Sequence, residues 1–278
     1  MTQVIESLSE VAERFDAIVL DQWGVLHDGT TPYPGAIDAL GALNKRLAVL
    51  SNSGKRSAPN AARIADMGFP AELFELVMTS GEALWQDIEA GRVAHRRLCP
   101  ITRGPGDAAA WAKGLDVTLT PDAATSDAVL LMGLPDHGAD VAQDTLAIAR
   151  AAGIPVLCTN PDRASPRAGG KTVVSPGALA HAYAKDGGEV HFYGKPHAAV
   201  FAVVAASLDV PPERLLMVGD SLEHDIAGGD AAGWSTVFVR GGLHASAFSH
   251  GADILQTITR LADAEGAPMP TYTLDQLG

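Results

Sequence analysis

Four short stretches of the chain carry side chains that could do chemistry together. Asp21 closes the apolar run Ala17-Ile18-Val19-Leu20 and is followed by a turn containing Gly24 and Gly29. Ser51-Asn52-Ser53 follows the apolar Ala48-Val49-Leu50, and Lys195 sits in Gly194-Lys195-Pro196. Asp220 and Asp225 follow Leu215-Leu216-Met217-Val218 in the spacing Gly-Asp-x-x-x-x-Asp. A carboxylate at the end of a buried strand is costly unless a metal or a cation compensates it. Asp21 and Asp220 are hard oxygen ligands suited to Mg²⁺, which keeps octahedral geometry and several waters. Asp21 could also attack phosphorus, forming an aspartyl-phosphate that water later cleaves. Ser51, with Asn52 and Ser53 in the same loop, would hydrogen-bond phosphoryl oxygens, and Lys195 would offset the negative charge gathered there. Taken singly, a strand-end Asp can be a helix cap, Ser-Asn-Ser an ordinary turn and a lone Lys a solvated charge. What joins them is position, because each falls where a parallel sheet presents its carboxyl edge to a ligand crevice.

The elements that must hold these residues read as α/β. Strand-like runs at 17–20, 48–51 and 76–79 alternate with predicted helices at 34–47 and 59–67, which implies a parallel sheet. Residues 1–15 show a helical apolar spacing through Val4, Ile5, Leu8, Val11 and Ala12. The middle of the chain reads as a separate small α/β module, with strands at 97–101, 128–133 and 154–158 and helices at 107–113 and 140–152. The first fold then resumes with a strand from Glu189 to Tyr193, a helix from His197 to Leu208, and strands at 215–218 and 236–239. The expected architecture is a Rossmann-like parallel-sheet core, 1–80 and 187–278, with an inserted α/β cap domain at 81–186.

Composition narrows the function. Among 278 residues, 20 Lys and Arg stand against 33 Asp and Glu, a formal net charge of −13. Binding to a nucleic-acid backbone has no electrostatic footprint in such a chain. The apolar stretch Ala198 to Ala206 is far too short to span a bilayer. The acidic start Met1 to Glu10 lacks the pattern of an export signal. Cys99 and Cys158, widely spaced and outside any CxxC, read as reduced core thiols. The expectation is a cytoplasmic protein acting on a small molecule, with no nucleic-acid or membrane partner.

The ordered motifs resemble those of the haloacid dehalogenase (HAD) superfamily. The long insert between the second and third stretches is similar to its class IIA branch with the C2 cap, which holds p-nitrophenyl phosphatase-like, phosphoglycolate and pyridoxal phosphate phosphatases. His27-Asp28-Gly29, Thr79-Ser80, Asn160-Pro161-Asp162 and Gly177-Ala178-Leu179 also look like that branch. The resemblance covers nearly the whole chain. It implies a small phosphorylated substrate, Asp21 as the nucleophile, and Mg²⁺ held by Asp21, Asp220 and the main-chain oxygen of Trp23. Asp225 then lies at or just behind the metal, and family analogy admits a homodimer.

One position departs from the pattern. The phosphatases of this superfamily carry a second Asp two residues after the nucleophile, which protonates the leaving group and then activates water; here it is Trp23. An indole N–H donates a hydrogen bond but delivers no proton. Three readings stay open: a phosphatase with a good leaving group or another proton donor such as His27 or a cap residue; C–P or C–halogen chemistry; or binding of a phosphorylated ligand with little turnover. In the insert, Arg163 and Arg167 could reach a second anionic group of the substrate, or serve only as solvated loop charges. Asn160 and Asp162 organise their turn, and His224 reads as structural.

Overall fold

The computed structural model describes residues 2–135, 139–167, 171–248 and 253–278. They form two compact units, one made of Met1–Ser51, Ala58–Met78 and Lys195–Gly278, the other of Asn52–Ser57 and Thr79–Gly194.

The first unit is built on a seven-stranded sheet in the order Gln3–Val4, Tyr272–Leu274, Ser235–Val239, Leu215–Gly219, Ala17–Leu20, Arg46–Ser51 and Leu76–Thr79. The pairings across its centre are parallel. Every residue of Ala17–Leu20 and Leu215–Gly219 is buried, which is why both read as unbroken apolar runs rather than alternating ones. Alternate side chains nevertheless serve different faces. Ile18, Leu20, Val49, Val218 and Val239 enter the larger apolar cluster, while Phe238 joins Leu222, Ile226, Ile258 and Ala262 on the other.

The amino-terminal segment departs from the expected helix. Gln3–Val4 is an edge strand on Tyr272–Leu274, and two short 3₁₀ turns follow at Leu8–Glu10 and Ala12–Arg14. The Glu10 carboxylate accepts from the backbone N–H groups of Glu6 (2.6 Å) and Ser7 (3.0 Å) and closes the first turn. Of the expected stripe, Ile5, Leu8, Val11 and Ala12 are buried, with Phe15 added, while Val4 on the edge strand is exposed; the rest stay in step because three-residue turns repeat at nearly the helical spacing. The helix expected at 34–47 is only Ala36–Gly41. It starts after Gly35 (φ 76°) and the chain turns at Asn44 (φ 45°), so that the next strand begins at Arg46.

The second unit has its own five-stranded sheet, ordered Val190–Phe192, Val156–Cys158, Ala128–Leu131, Arg97–Ile101 and Thr118–Leu119, with parallel pairings. Val190–Phe192, expected in the first unit, pairs instead with Val156–Cys158. Contacts keep the chain in the second unit as far as Gly194. A short apolar run carries no mark of which of two parallel sheets it will join. Ala164–Arg167 pairs antiparallel with Lys171–Val174, two strands that the apolar pattern of the chain does not mark. Helix Ser80–Glu89 is capped by the Thr79 hydroxyl, which accepts from the Glu82 N–H at 3.0 Å. Trp111 anchors this helix by donating its indole N–H to the Gly81 carbonyl (2.7 Å). Cys99 and Cys158 are buried and free, and burial pushes the Cys158 thiol up to about 12. No helix among the described residues is long and apolar enough to cross a membrane.

Phe238 is fully buried between the sheet and helix Ile254–Glu265. Phe238→Ala should destabilise the first unit by about 3–5 kcal/mol, read as a lower urea midpoint with the far-ultraviolet spectrum of the native state retained.

Candidate active site

Sheet register gathers the candidate residues. Leu20 stands opposite Val218 on one side and Val49 on the other, so Asp21, Asp220 and Ser51 all emerge at the carboxyl ends of three adjacent strands. The Asp21 N–H donates to the Val218 carbonyl at 2.9 Å and fixes the exit of the chain there.

Lys195 joins the carboxylates. Its Nζ donates to Asp21 Oδ1 and to Asp225 Oδ1, both at 2.6 Å, and the side chain is 2% exposed. Burial by itself would strip the proton from this ammonium, but the charges of Asp21 and Asp225 outweigh burial and hold it above the ordinary lysine range. Asp225 Oδ2 accepts the Ser221 N–H at 3.0 Å, so both of its oxygens are engaged. Asp220 Oδ2 accepts the Leu243 N–H at 2.7 Å. Burial first, and then the neighbouring charges of Asp21 and Asp225, raise the Asp220 carboxyl well above the usual range. The Asp21 carboxyl is raised by burial, against the opposing pull of Lys195.

This donor set fits a divalent cation. Carboxylate oxygens of Asp21, Asp220 and Asp225 lie within 4.8 Å of one another, and one ammonium leaves the trio two charges in excess. Asp21 and Asp220 retain lone pairs beyond the bonds described. Asp225 is tied to Lys195 and to its own turn, which suits a supporting place behind the ion. Glycines shape the cradle, since a Cβ on Gly24 (φ 78°) or on Gly242 would collide with the Asp220 carboxylate.

The loop after Asp21 is rigidly built. The Gly24 N–H donates to the His27 carbonyl (3.1 Å) and the Tyr33 N–H to that of Leu26 (3.0 Å). Asp28 accepts from the backbone N–H groups and hydroxyls of Thr30 and Thr31, which holds its carboxyl well below the ordinary range. The Trp23 indole meets His27 edge to face, ring centres 5.8 Å apart. The Arg63 guanidinium lies over the indole at 5.6 Å and donates to the Gly29 carbonyl at 2.9 Å. A side chain at Gly29 would collide with the indole.

His27, expected as a substrate contact or proton donor, is instead 0% exposed. Its Nδ1 accepts the Gly29 N–H at 3.0 Å, and its buried Nε2 has no hydrogen-bond partner among the described residues. Burial, with Arg63 nearby, holds its pKa near 4, so the ring is neutral at pH 7 and serves the loop.

The remaining candidates divide. Ser51 ends its strand, buried. Asn52 Nδ2 donates to Asp162 Oδ1 at 2.7 Å, and the Ser53 hydroxyl accepts the Lys55 N–H at 3.3 Å. Both are thus engaged inside the second unit, and Asp162 does more than close its own turn. Arg163 is exposed in that unit, and the Arg167 side chain lies outside the described residues. His224 flanks the Asp225 turn, its backbone N–H donating to the Ser221 hydroxyl at 3.1 Å. Sequence reasoning missed Arg63, Gly242 and the Leu243 N–H. Only Arg240-Gly241-Gly242 at a strand end offered a signal for the last two.

A family profile described as haloacid dehalogenase-like hydrolase matches residues 15–233, and one described as HAD-hydrolase-like matches residues 192–277. The chain is 28% identical over 268 residues to the glycerol-3-phosphate phosphatase of Gallus gallus, covering 86% of this chain and 83% of that protein. A haloacid dehalogenase-like hydrolase from Brucella suis 1330 superposes with a TM-score of 0.81 at 26% identity, over 99% of this chain and 100% of that one. A glycerol phosphate phosphatase from Mycobacterium tuberculosis, solved in complex with calcium, gives a TM-score of 0.71 at 25% identity, over 96% of this chain and 74% of that one.

Lys195→Met would leave the buried Asp225 and the partly buried Asp21 without their cation, a loss of about 3–5 kcal/mol in stability. The loss should be larger at pH 8 than at pH 5, since protonation relieves an unpaired carboxylate, and thermal unfolding at the two pH values measures it.

Proposed function

Since the chain belongs to the haloacid dehalogenase-like hydrolase family, we propose that it is a Mg²⁺-dependent phosphatase of small phosphorylated metabolites. The observation that carries this reading is the buried Asp21–Lys195–Asp225 bridge beside Asp220 at the carboxyl edge of the sheet. The chicken and mycobacterial relatives, named for glycerol phosphates, support a substrate of that size.

Asp21, Asp220 and the main-chain oxygen of Trp23 would hold the ion. Bound there, Mg²⁺ would supply positive charge to offset that of the carboxylates and of a phosphoryl group. Lys195 fixes the Asp21 carboxylate by its hydrogen bond and favours the ionised, nucleophilic form. An Asp21 oxygen attacks phosphorus while the bond to the bridging oxygen breaks, and the phosphoryl group passes to the carboxylate as an aspartyl-phosphate. Water then attacks phosphorus, phosphate departs and Asp21 is restored. Ser51 would hydrogen-bond the phosphoryl oxygens from the neighbouring strand end. Asn52 and Ser53 continue that loop.

Trp23 favours a second reading, in which the protein binds a phosphate ester and turns it over little or not at all, because neither the indole nor the neutral, buried His27 delivers a proton.

Phosphate release from a panel of glycerol, sugar, glycolyl and acyl phosphates, with and without Mg²⁺, tests both. Release that needs Mg²⁺ and falls by about 10³-fold or more in Asp21→Asn supports the enzyme, whereas tight ester binding without turnover supports the second reading. Metal-free protein should lose stability as pH rises above the ordinary carboxylate range, because Asp21 and Asp220, both raised, hold protons there that the unfolded chain has already released. The gain in melting temperature on adding Mg²⁺ should therefore be larger at pH 7.5 than at pH 5.

A further inference from the structure

We infer that the phosphate this protein removes is carried on an oxygen bound to an sp² carbon, as in an aryl, enol or acyl phosphate, and not on an alkyl oxygen. The inference rests on the phosphatase reading above and names its substrate class. Two features of the loop after Asp21 carry it.

The first is the set of protic groups in that loop. Breaking a phosphate ester of an alcohol leaves an alkoxide, a strongly basic anion that must be given a proton as it departs, and a positioned acid contributes about 10²–10⁴ in rate. Between Gln22 and Tyr33 the titratable side chains are His27, Asp28 and Tyr33. The His27 ring is sealed inside the loop, with Nδ1 bonded to the Gly29 N–H. The Asp28 carboxylate is saturated by Thr30 and Thr31. The Tyr33 ring packs against the apolar cluster, and burial together with Asp220 makes its phenol a weaker acid than usual. At position 23 itself stands an indole. Oxygens on sp² carbon avoid the need for an acid, because phenolate, enolate and carboxylate delocalise the charge they take. In the step assigned here, the Asp21 oxygen–phosphorus bond forms, the bridging phosphorus–oxygen bond breaks, and its electron pair leaves on the substrate oxygen with no proton moved. Water then adds to phosphorus as the Asp21–phosphorus bond breaks, giving the free carboxylate and dihydrogen phosphate.

The second feature is the indole as a surface. Gly29, the Arg63 guanidinium and the His27 edge hold the ring in place, yet Trp23 stays partly exposed. An indole held two residues from the proposed nucleophile is an apolar aromatic group of the kind on which a planar conjugated leaving group stacks. A polyol offers no such face.

The test is kcat/KM with Mg²⁺ for aryl phosphates graded in leaving-group acidity from 4-nitrophenol to phenol, together with acetyl phosphate and glycerol 3-phosphate. The expected result is a steep fall as the leaving group becomes more basic, with glycerol 3-phosphate about 10²-fold or more below 4-nitrophenyl phosphate. Trp23→Asp should flatten that dependence by raising the glycerol 3-phosphate rate. Trp23→Leu should keep the steepness while raising KM for the aryl substrates, and Tyr33→Phe should leave the dependence unchanged. A flat dependence in the unaltered protein, with glycerol 3-phosphate cleaved as fast as the aryl esters, overturns the inference and leaves the phosphatase reading standing. Ester binding without hydrolysis of any of these substrates overturns both.

Discussion

The first unit depends on one buried ammonium. Lys195 is almost wholly removed from solvent and bonds Asp21 and Asp225 at once. Dehydrating an ammonium and a carboxylate costs several kcal/mol per ion, and a single pair at such a site often does no better than break even. The second carboxylate tips the balance, which is why burial fails to discharge this lysine. The bridge also spans the chain, joining residues 174 positions apart on one side and 30 on the other. A strand end, a loop and a turn are thereby held to one point at the edge of the sheet.

With that bridge made, the surplus negative charge falls on Asp220. Its carboxylate is pinned by the Leu243 N–H and closed in by Gly24 and Gly242, positions where a Cβ has no room. Burial and mutual repulsion weaken Asp21 and Asp220 as acids, an imbalance of two charges that a divalent cation would offset and a second lysine would only halve. The neighbouring loop follows a different logic. It is closed by its own hydrogen bonds, with Asp28 tied to Thr30 and Thr31 and His27 tied to Gly29. It carries the Trp23 indole, and its own His27 and Asp28 are spent on bonds inside it.

Much of the fold could be read from the chain because its central strands are covered on both faces. Ala17–Leu20 and Leu215–Gly219 are unbroken apolar runs for that reason, and glycines mark the turns that follow them. Edges were harder to read. Residues 1–15 keep a helical apolar spacing, yet form an edge strand and two 3₁₀ turns, because burial periodicity near three residues is shared by both helix types. Val190–Phe192 pairs in the second sheet and not the first, since partner choice for a three-residue strand is made by distant residues that leave no trace in its own composition.

The site divides along the same line. By themselves the residue types and their order identify Asp21, Lys195, Asp220 and Asp225 as candidates, since charged groups following apolar strands demand compensation wherever the fold places them. The sequence also establishes that an indole stands where an acid would be expected. Only the tertiary structure decides that Lys195 chooses Asp21 and Asp225 while Asp220 takes the Leu243 N–H, that Asn52 is spent on Asp162, and that His27 is sealed away from any ligand. Those outcomes are set by distances of a few ångströms between residues far apart in the chain, and hydrogen bonding and burial at that range depend on packing that local sequence does not encode.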